Sequence, residues 1–398
     1  MAARRAVIVD VVRSPFGKGR GGGALHGMHP VDLYAQVLRA LVARTGIDPA
    51  AVDDVITGCV IQVGEQAGNI GRQAVLAAGL PACVPAVTID RKCGSAQQAI
   101  DFGAQGVIAG AYDMVIAGGV EMMSTVPMRA NRLGKDNLGP MLKAAYPAGL
   151  VGQGISAELI ASRWQVSRDA MDQFSLASHQ RAAHAEDTGM SARSIVPIHV
   201  AGESSAKVAE RDEGIRRDTT MQKLAALNPV FEDPEMLVRF PDIHWSVTAG
   251  NSSQISDGAS AVLIVEESLA ARLNLKPRAA ISHFAVLGDD PILMLTAIIP
   301  ATRKLLKRAG LRIGDIDAFE VNEAFASVVL AWNREFDVDT SRLNRYGGAI
   351  SLGHPVGGSG GRLMGNLIAA LEECRGRFGI QTMCESGGMA NATLVERL

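Results

Sequence analysis

Three short stretches hold residue types capable of nucleophilic and acid–base chemistry. In Thr88-Ile-Asp-Arg-Lys-Cys93-Gly-Ser-Ala-Gln-Gln-Ala-Ile100, a strand-like entry and a turn lead into a helix-forming run. That order sets Cys93 at or near a helix N-terminus, where unpaired N–H groups and the macrodipole favour the nucleophilic thiolate. Arg91 and Lys92 push the same way if their charges lie near. A single cysteine more often packs as a small buried hydrophobe, so Cys93 needs partners to count as a nucleophile. Tyr346-Gly-Gly-Ala-Ile-Ser-Leu-Gly-His354-Pro-Val-Gly-Gly-Ser-Gly-Gly361 offers one: seven glycines in 16 residues enclose a single histidine. Such a loop lets backbone approach a ligand closely, and a fixed histidine suits a base near neutral pH. It lacks the lysine of a phosphate-cradling loop, and it is no dinucleotide fingerprint. The third stretch, Met383-Cys384-Glu-Ser-Gly-Gly388, brings a second cysteine before a glycine pair. Metal binding is a poor account of the three, because their ligands show no close-paired spacing.

The elements that must hold these residues alternate. Short apolar runs at 6–12, 55–59, 114–117, 261–265 and 318–321 read as interior strands between amphipathic helical stretches. That predicts an α/β architecture with a buried, largely parallel sheet. A helix is predicted over 30–43, with Pro30 at its first position and Gly46 as its stop. The 398 residues carry 39 basic and 41 acidic side chains and only 4% aromatics. This balance excludes nucleic acid as a partner, and no apolar run is long enough to span a membrane. Residues 1–12 have the charged-then-apolar outline of a signal peptide. Arg13-Ser-Pro follows where a small-residue cleavage site would stand, so the run reads as a first strand. Five irregularly spaced cysteines make no disulfide framework and suit a reducing, cytoplasmic location.

A faint repeat divides the chain. Thr45-Gly-Ile-Asp-Pro-Ala-Ala-Val-Asp53 resembles Ala309-Gly-Leu-Arg-Ile-Gly-Asp-Ile-Asp317 at an offset of 264, which also sets Gly94-Ser95 on Gly358-Ser359. With five residues inserted, Gly118-Gly119 falls near Gly387-Gly388. Between the halves, 201–240 holds 14 charged residues in 40, against 20% overall. That marks roughly 122–248 as a peripheral insertion. Its charges read as a solvated face, or, for a few arginines, as contacts to an anionic ligand.

Together, Cys93-Gly-Ser, Gly353-His354-Pro355, Cys384-x-x-Gly-Gly388, Val321-Asn322-Glu-Ala-Phe325 and Val247-Thr-Ala-Gly-Asn251 resemble the thiolase family. Arg13-Ser-Pro-Phe-Gly17 and Ala117-Gly-Gly-Val-Glu121 fit too, so the likeness runs in order over almost the whole chain. Residues 64–72 and 90–98 look like those of bacterial acetyl-CoA acetyltransferases and of 3-ketoacyl-CoA thiolases of fatty-acid or sterol side-chain breakdown.

The resemblance implies a duplicated, five-layered α-β-α-β-α fold. The N-terminal half would be 1–121 plus 249–272, the inserted loop domain 122–248 and the C-terminal half 273–398. It implies CoA-dependent cleavage of 3-ketoacyl-CoA through an acyl-cysteine, or the reverse Claisen condensation. Cys93 would be the nucleophile, His354 its base and Cys384 the second acid/base. His354 with a water held by Asn322 would form one oxyanion hole, and the N–H groups of Cys93 and Ser386 the other. Glycine is usual at the position of Ser386, and a serine serves there only if the backbone needs no glycine-only conformation. Ser253, Ala324 and Phe325 would line the pantetheine channel. A family His-Met pair stands here as Gly152-Gln153. No permanently bound cofactor is implied. Coenzyme A is the co-substrate, acyl-CoA the partner, and the assembly a homodimer or homotetramer. Substrates longer than four carbons are expected, with a dedicated acetoacetyl-CoA synthase as the alternative. A decarboxylating ketosynthase would carry a second histidine at 322 and no cysteine at 384. A non-catalytic acyl-CoA or lipid carrier on the same scaffold would lose its catalytic cysteines first.

Overall fold

Among the described residues, ten strands pair into one mixed sheet. Its principal members are β1 (Ala6–Arg13), β2 (Asp54–Gly58), β3 (Ala86–Ile89), β4 (Met114–Met122), β5 (Ser256–Glu266), β6 (Ala279–Gly288), β7 (Ala318–Val321), β8 (Phe378–Glu385) and β9 (Met389–Arg397). The structure is a computed structural model and describes residues 4–200 and 207–398. Residues 1–3 of the charged start and 201–206 of the charge-rich stretch lie outside the described residues.

The spatial order is β3-β2-β4-β5-β1-β6-β9-β8-β7, and a two-residue strand, Gly17–Lys18, flanks β5. The order mirrors about the β1–β6 junction, where only Ala6, Val7 and Ile8 pair with Ile281, Ala280 and Ala279. The sheet is mixed rather than largely parallel: among the described residues, β2–β3, β2–β4 and β7–β8 run parallel and the other pairs antiparallel. β9 follows β8 through a tight turn and so must return antiparallel. The long excursion after β4 likewise lets β5 come back antiparallel beside it.

The repeat is structural. Asp54 pairs with Val115 and Ala318 with Gly379, the same register moved by 264 residues. Gly46 and Gly310 each end a helix at φ +66°. Asp53 accepts the N–H groups of Asp113 and Met114, and Asp317 those of Arg377 and Phe378. One predicted match fails. Gly118-Gly119 lies inside β4, in register with Thr382-Met383, whereas Gly387-Gly388 forms the β8–β9 turn. Across these strands the offset stays at 264, so no five-residue insertion precedes Thr382-Met383.

Helices fill three layers around the two half-sheets. α1 (Pro30–Thr45) and α2 (Ile70–Ala77) cover one outer face, with Leu33, Leu38 and Leu41 packed on Val55, Ile116 and Leu263. α3 (Ser95–Ala109) lies in the middle beside a later helix, Ser359–Cys374, which is buried from Ser359 to Leu371. There Ile100 and Val107 meet Leu367 and Ile368 between Ile8, Val115 and Ile264. Helices Ile298–Ala309 and Ala326–Phe336 close the other outer face, with Leu305 and Trp332 on Ile380 and Leu394. Each leucine so buried contributes roughly 1.5–3 kcal/mol. The result is α-β-α-β-α. Both central helices begin at the repeat-related pair Gly94-Ser95 and Gly358-Ser359, so the Cys93 and His354 loops enter the same layer.

Between β4 and β5 the chain makes further helices, including Gln153–Arg163 and Arg168–Asp187, and a ribbon of Ile198–Val200 with Lys207–Ala209. Surface pairs such as Arg217–Glu186 and Lys223–Asp218 fit a solvated face. Asp212 does not: it is buried and takes both guanidinium nitrogens of Arg13, at 2.6 and 2.7 Å. Among the described residues no helix is long and apolar enough to cross a membrane.

Candidate active site

Cys93 sits on a tight turn between β3 and α3. Lys92 is held at φ +50°, and Gly94 caps α3. Ser95 Oγ accepts the Arg91 N–H at 2.8 Å and donates to the Lys92 carbonyl at 2.6 Å. The helix-start position expected for Cys93 is therefore present, but the standing thiolate is not. Burial raises the Cys93 thiol to about 12, the nearby Glu385 adds to the rise, and Lys92 lowers it only weakly. Lys92 instead pairs with Asp90 at 2.5 Å. A protonated thiol in that setting needs a base.

His354 provides one. Its backbone N–H donates to Gln254 O at 3.0 Å and Ser256 Oγ at 3.1 Å, which fixes the glycine-rich loop to the start of β5. The ring Nδ1 lies 2.6 Å from Ser359 Oγ, and that hydroxyl donates its proton to Pro355 O at 2.8 Å. A Ser359 hydroxyl that donates to Pro355 O accepts from Nδ1–H, the tautomer that leaves Nε2 unprotonated to accept from Asn322 Nδ2. Burial, with help from Arg362, lowers the imidazole to about 3 and keeps it neutral. Asn322 Nδ2 stands 3.4 Å from Nε2, and Asn322 Oδ1 is buried with no donor among the described residues. Asn322 is tied in turn to β8 through its N–H on Thr382 O.

Cys384, at the end of β8, is 1% exposed. Burial first, then the charges of Cys93 and Glu385, push its thiol well above the usual range. The two thiols are thus within Coulombic reach of each other. Cys93 shares an apolar nest with Val356, two residues past His354, and with Met383, the neighbour of Cys384. The three stretches singled out in the sequence converge. In the turn after Cys384, left-handed backbone falls on Gly387 (φ +95°) and Gly388 (φ +77°) but not on Ser386, so a serine fits there without strain.

Ser253, Ala324 and Phe325 lie together on the edge of this centre. The Ser253 N–H donates to Ala324 O at 2.9 Å, and Phe325 bridges to Ser252. The Phe325 ring meets Phe231 edge-on at 5.9 Å, and Phe231 rests against Gly154, the second residue of the helix that Gly152 caps.

Sequence reasoning missed Ser359 and Glu385 and valued Glu121 only as part of a motif. Glu121 is buried and accepts the N–H groups of Val60, Ile61 and Gly357, so one carboxylate pins two of the loops. Only Ser359 left a usable signal, as a hydroxyl at the start of a helix five residues beyond the histidine.

Comparison with known proteins agrees with this architecture. The model of the thiolase N-terminal domain matches residues 6–268 and that of the thiolase C-terminal domain residues 275–397. A steroid 3-ketoacyl-CoA thiolase of Mycobacterium tuberculosis is 45% identical over 401 residues, covering 99% of this chain and 94% of that one. A 3-ketoacyl-CoA thiolase of Photorhabdus laumondii is 42% identical over 98% of this chain and 99% of its own. The crystal structure of a Bacillus anthracis acetyl-CoA acetyltransferase superposes with a TM-score of 0.89 at 36% identity, over 100% of both chains. Continuous along the sequence and closed over the same fold, these likenesses establish that the chain belongs to the thiolase family of acyltransferases.

Proposed function

We propose that the protein cleaves 3-ketoacyl-CoA with coenzyme A, giving acetyl-CoA and an acyl-CoA shortened by two carbons, by way of an acyl group on Cys93. His354 Nε2 takes the Cys93 proton, and the thiolate adds to the keto carbon. The bond between that carbon and the α-carbon breaks, and the departing acetyl-CoA enolate takes a proton from Cys384. Cys384 regains a proton from the incoming CoA thiol. The CoA thiolate attacks the acyl-Cys93 thioester, and His354 returns the first proton to Cys93. Run backwards, the same steps form a carbon–carbon bond.

The observation that carries the reading is the convergence of the three stretches: Cys93 packs with Val356, two residues past His354, and with Met383, next to Cys384, while the His354 ring is held by Ser359 on Nδ1 and stands beside Asn322 on Nε2. Asn322 and His354 would serve one developing oxyanion, through a water, and the N–H groups of Cys93 and Ser386 the other. Each such donor is worth about 10²–10³ in rate. Ser253, Ala324 and Phe325 would receive pantetheine, and residues 122–248 would act as the loop domain that binds CoA. No permanently bound cofactor enters the scheme.

Acyl chains longer than four carbons, with acetoacetyl-CoA also accepted, are favoured by the names of the two 3-ketoacyl-CoA relatives. The acetyltransferase structure supports the second reading, a dedicated acetoacetyl-CoA synthase. We further propose a cytoplasmic homodimer or homotetramer. The deciding experiment adds CoA to acetoacetyl-CoA and follows enolate absorbance. Rapid loss is expected, and no loss by folded protein overturns the reading.

A further inference from the structure

The inner faces of β8 and β9 set polar side chains against α3, the helix that follows Cys93. Gln97 donates to Thr393 Oγ1 at 2.8 Å, Thr393 donates to Asp101 at 2.6 Å, and Asn391 donates to the Gly94 carbonyl at 3.1 Å. Glu385 ends this seam beside the nucleophile turn. It is 0% exposed, and neither carboxyl oxygen has a donor among the described residues. A Cβ on Gly94 would stand 2.1 Å from Glu385 Oε1 and 2.9 Å from Asn391 Nδ2. Glycine at 94 therefore makes room for a carboxyl directly behind the turn that carries Cys93. A buried carboxyl without donors is costly, and the proton transfers above give Glu385 no step.

We infer that Glu385 is a positioning residue for the acyl transfer: its carboxyl braces the Cys93 turn through Gly94, and its charge controls when the Cys93 and Cys384 thiols ionise. The inference rests on Cys93 being the nucleophile.

The groups acting on Glu385 come from every side of it. Arg91 and Asp90 lie on the nucleophile loop, Asp101 on α3 and Cys384 on its own strand; Asn391 on β9 is uncharged. Burial raises the Glu385 carboxyl to about 8, Arg91 opposes the rise, and Asp101 and Asp90 add to it. After burial, Glu385 is the largest influence raising Cys93, and it also raises Cys384. Below its own titration Glu385 is neutral and does not oppose a thiolate. Above it, the carboxylate repels each thiolate and delays ionisation. Thiol reactivity should then rise with pH in two stages rather than one.

The test measures alkylation of Cys93 by iodoacetamide across neutral and alkaline pH, with peptide mapping of the label. The unaltered protein should show a break near pH 8, where Glu385 titrates. Glu385→Gln should remove the break and speed alkylation at about pH 9 by roughly threefold to tenfold, the most that a group titrating one pH unit lower can withhold. A single-stage profile in the unaltered protein overturns the inference. So does a folded Glu385→Gln variant whose profile is unchanged. Because the first arm needs no substitution, a variant that fails to fold leaves the test intact. Label absent from Cys93 sinks the nucleophile assignment instead, so the two failures are distinct.

Discussion

His354 and Ser359 are joined by a 2.6 Å contact from ring Nδ1 to hydroxyl oxygen, and the Ser359 proton is committed to Pro355 O. One hydroxyl at the start of a central helix thereby selects the imidazole tautomer five residues away. The ring would otherwise be free to present Nδ1 or to turn Nε2 away from Asn322.

Replacing Ser359 with alanine should therefore impair the base without unfolding the protein. We expect kcat to fall about tenfold to a hundredfold, part of the ~10²–10⁴ that a positioned base contributes. KM should change little, since Ser359 is fully buried and is not among the residues proposed to receive pantetheine. Steady-state kinetics with acetoacetyl-CoA check this. An unchanged kcat would show that the tautomer needs no such clamp.

The two thiols should separate into two half-reactions. Acetyl-CoA should acetylate Cys93, and Cys384→Ala should retain that acetylation while losing carbon–carbon bond cleavage and formation. Peptide mass mapping reads the first half and enolate loss the second. Label confined to Cys59, Cys83 or Cys374, or full turnover without Cys384, would reverse these assignments.

The asymmetry between what could and could not be read from the sequence has a physical origin. Strands at 6–12 and 318–321, the helix from Pro30 and its Gly46 stop leave local patterns of burial and capping, and these fall where expected. The stretches around Cys93, His354 and Cys384 stand out in the sequence because they form glycine-rich or helix-start contexts, and the fold brings them together. Strand direction was not legible, because β5 and β9 owe theirs to connection length and turn geometry. Nor were Glu385 and Glu121, whose partners lie on other strands and loops. An isolated glutamate in a sequence resembles any surface glutamate. The thiolate expected at Cys93 fails for the same reason: Arg91 and Lys92 are visible as neighbours, but burial and the Glu385 charge are not.

The buried pair Arg13–Asp212 makes a stability prediction. Asp212 also accepts the Phe16 N–H at 2.8 Å, so it binds the first strand to the segment before β5. Asp212→Ala leaves a guanidinium buried without its counter-charge and should cost about 3–5 kcal/mol. Denaturant midpoints measure the loss. An apolar double substitution, Arg13→Leu with Asp212→Leu, should recover much of it, because no buried charge is then left unpaired. A single variant as stable as the parent would mean that water reaches the site.

The last prediction concerns the channel wall at Phe231. A Cβ on Gly154 would stand 2.2 Å from Phe231 Cδ1, so glycine is what lets that ring lie back against its helix. On its other side Phe231 meets Phe325 at 5.9 Å. Gly154→Ala must push the ring away from the helix and toward Phe325, narrowing the space beside the proposed pantetheine channel. Each methylene that an open apolar tunnel buries adds up to ~0.8 kcal/mol of binding. In the parent enzyme, kcat/KM should accordingly rise along a series of 3-ketoacyl-CoAs lengthened beyond four carbons. In Gly154→Ala that rise should flatten or reverse, while acetoacetyl-CoA is affected least because it reaches the wall least. A parent profile that falls steeply beyond four carbons would favour the dedicated acetoacetyl-CoA synthase. A rise that Gly154→Ala leaves untouched would mean that the acyl tail takes a path away from Phe231.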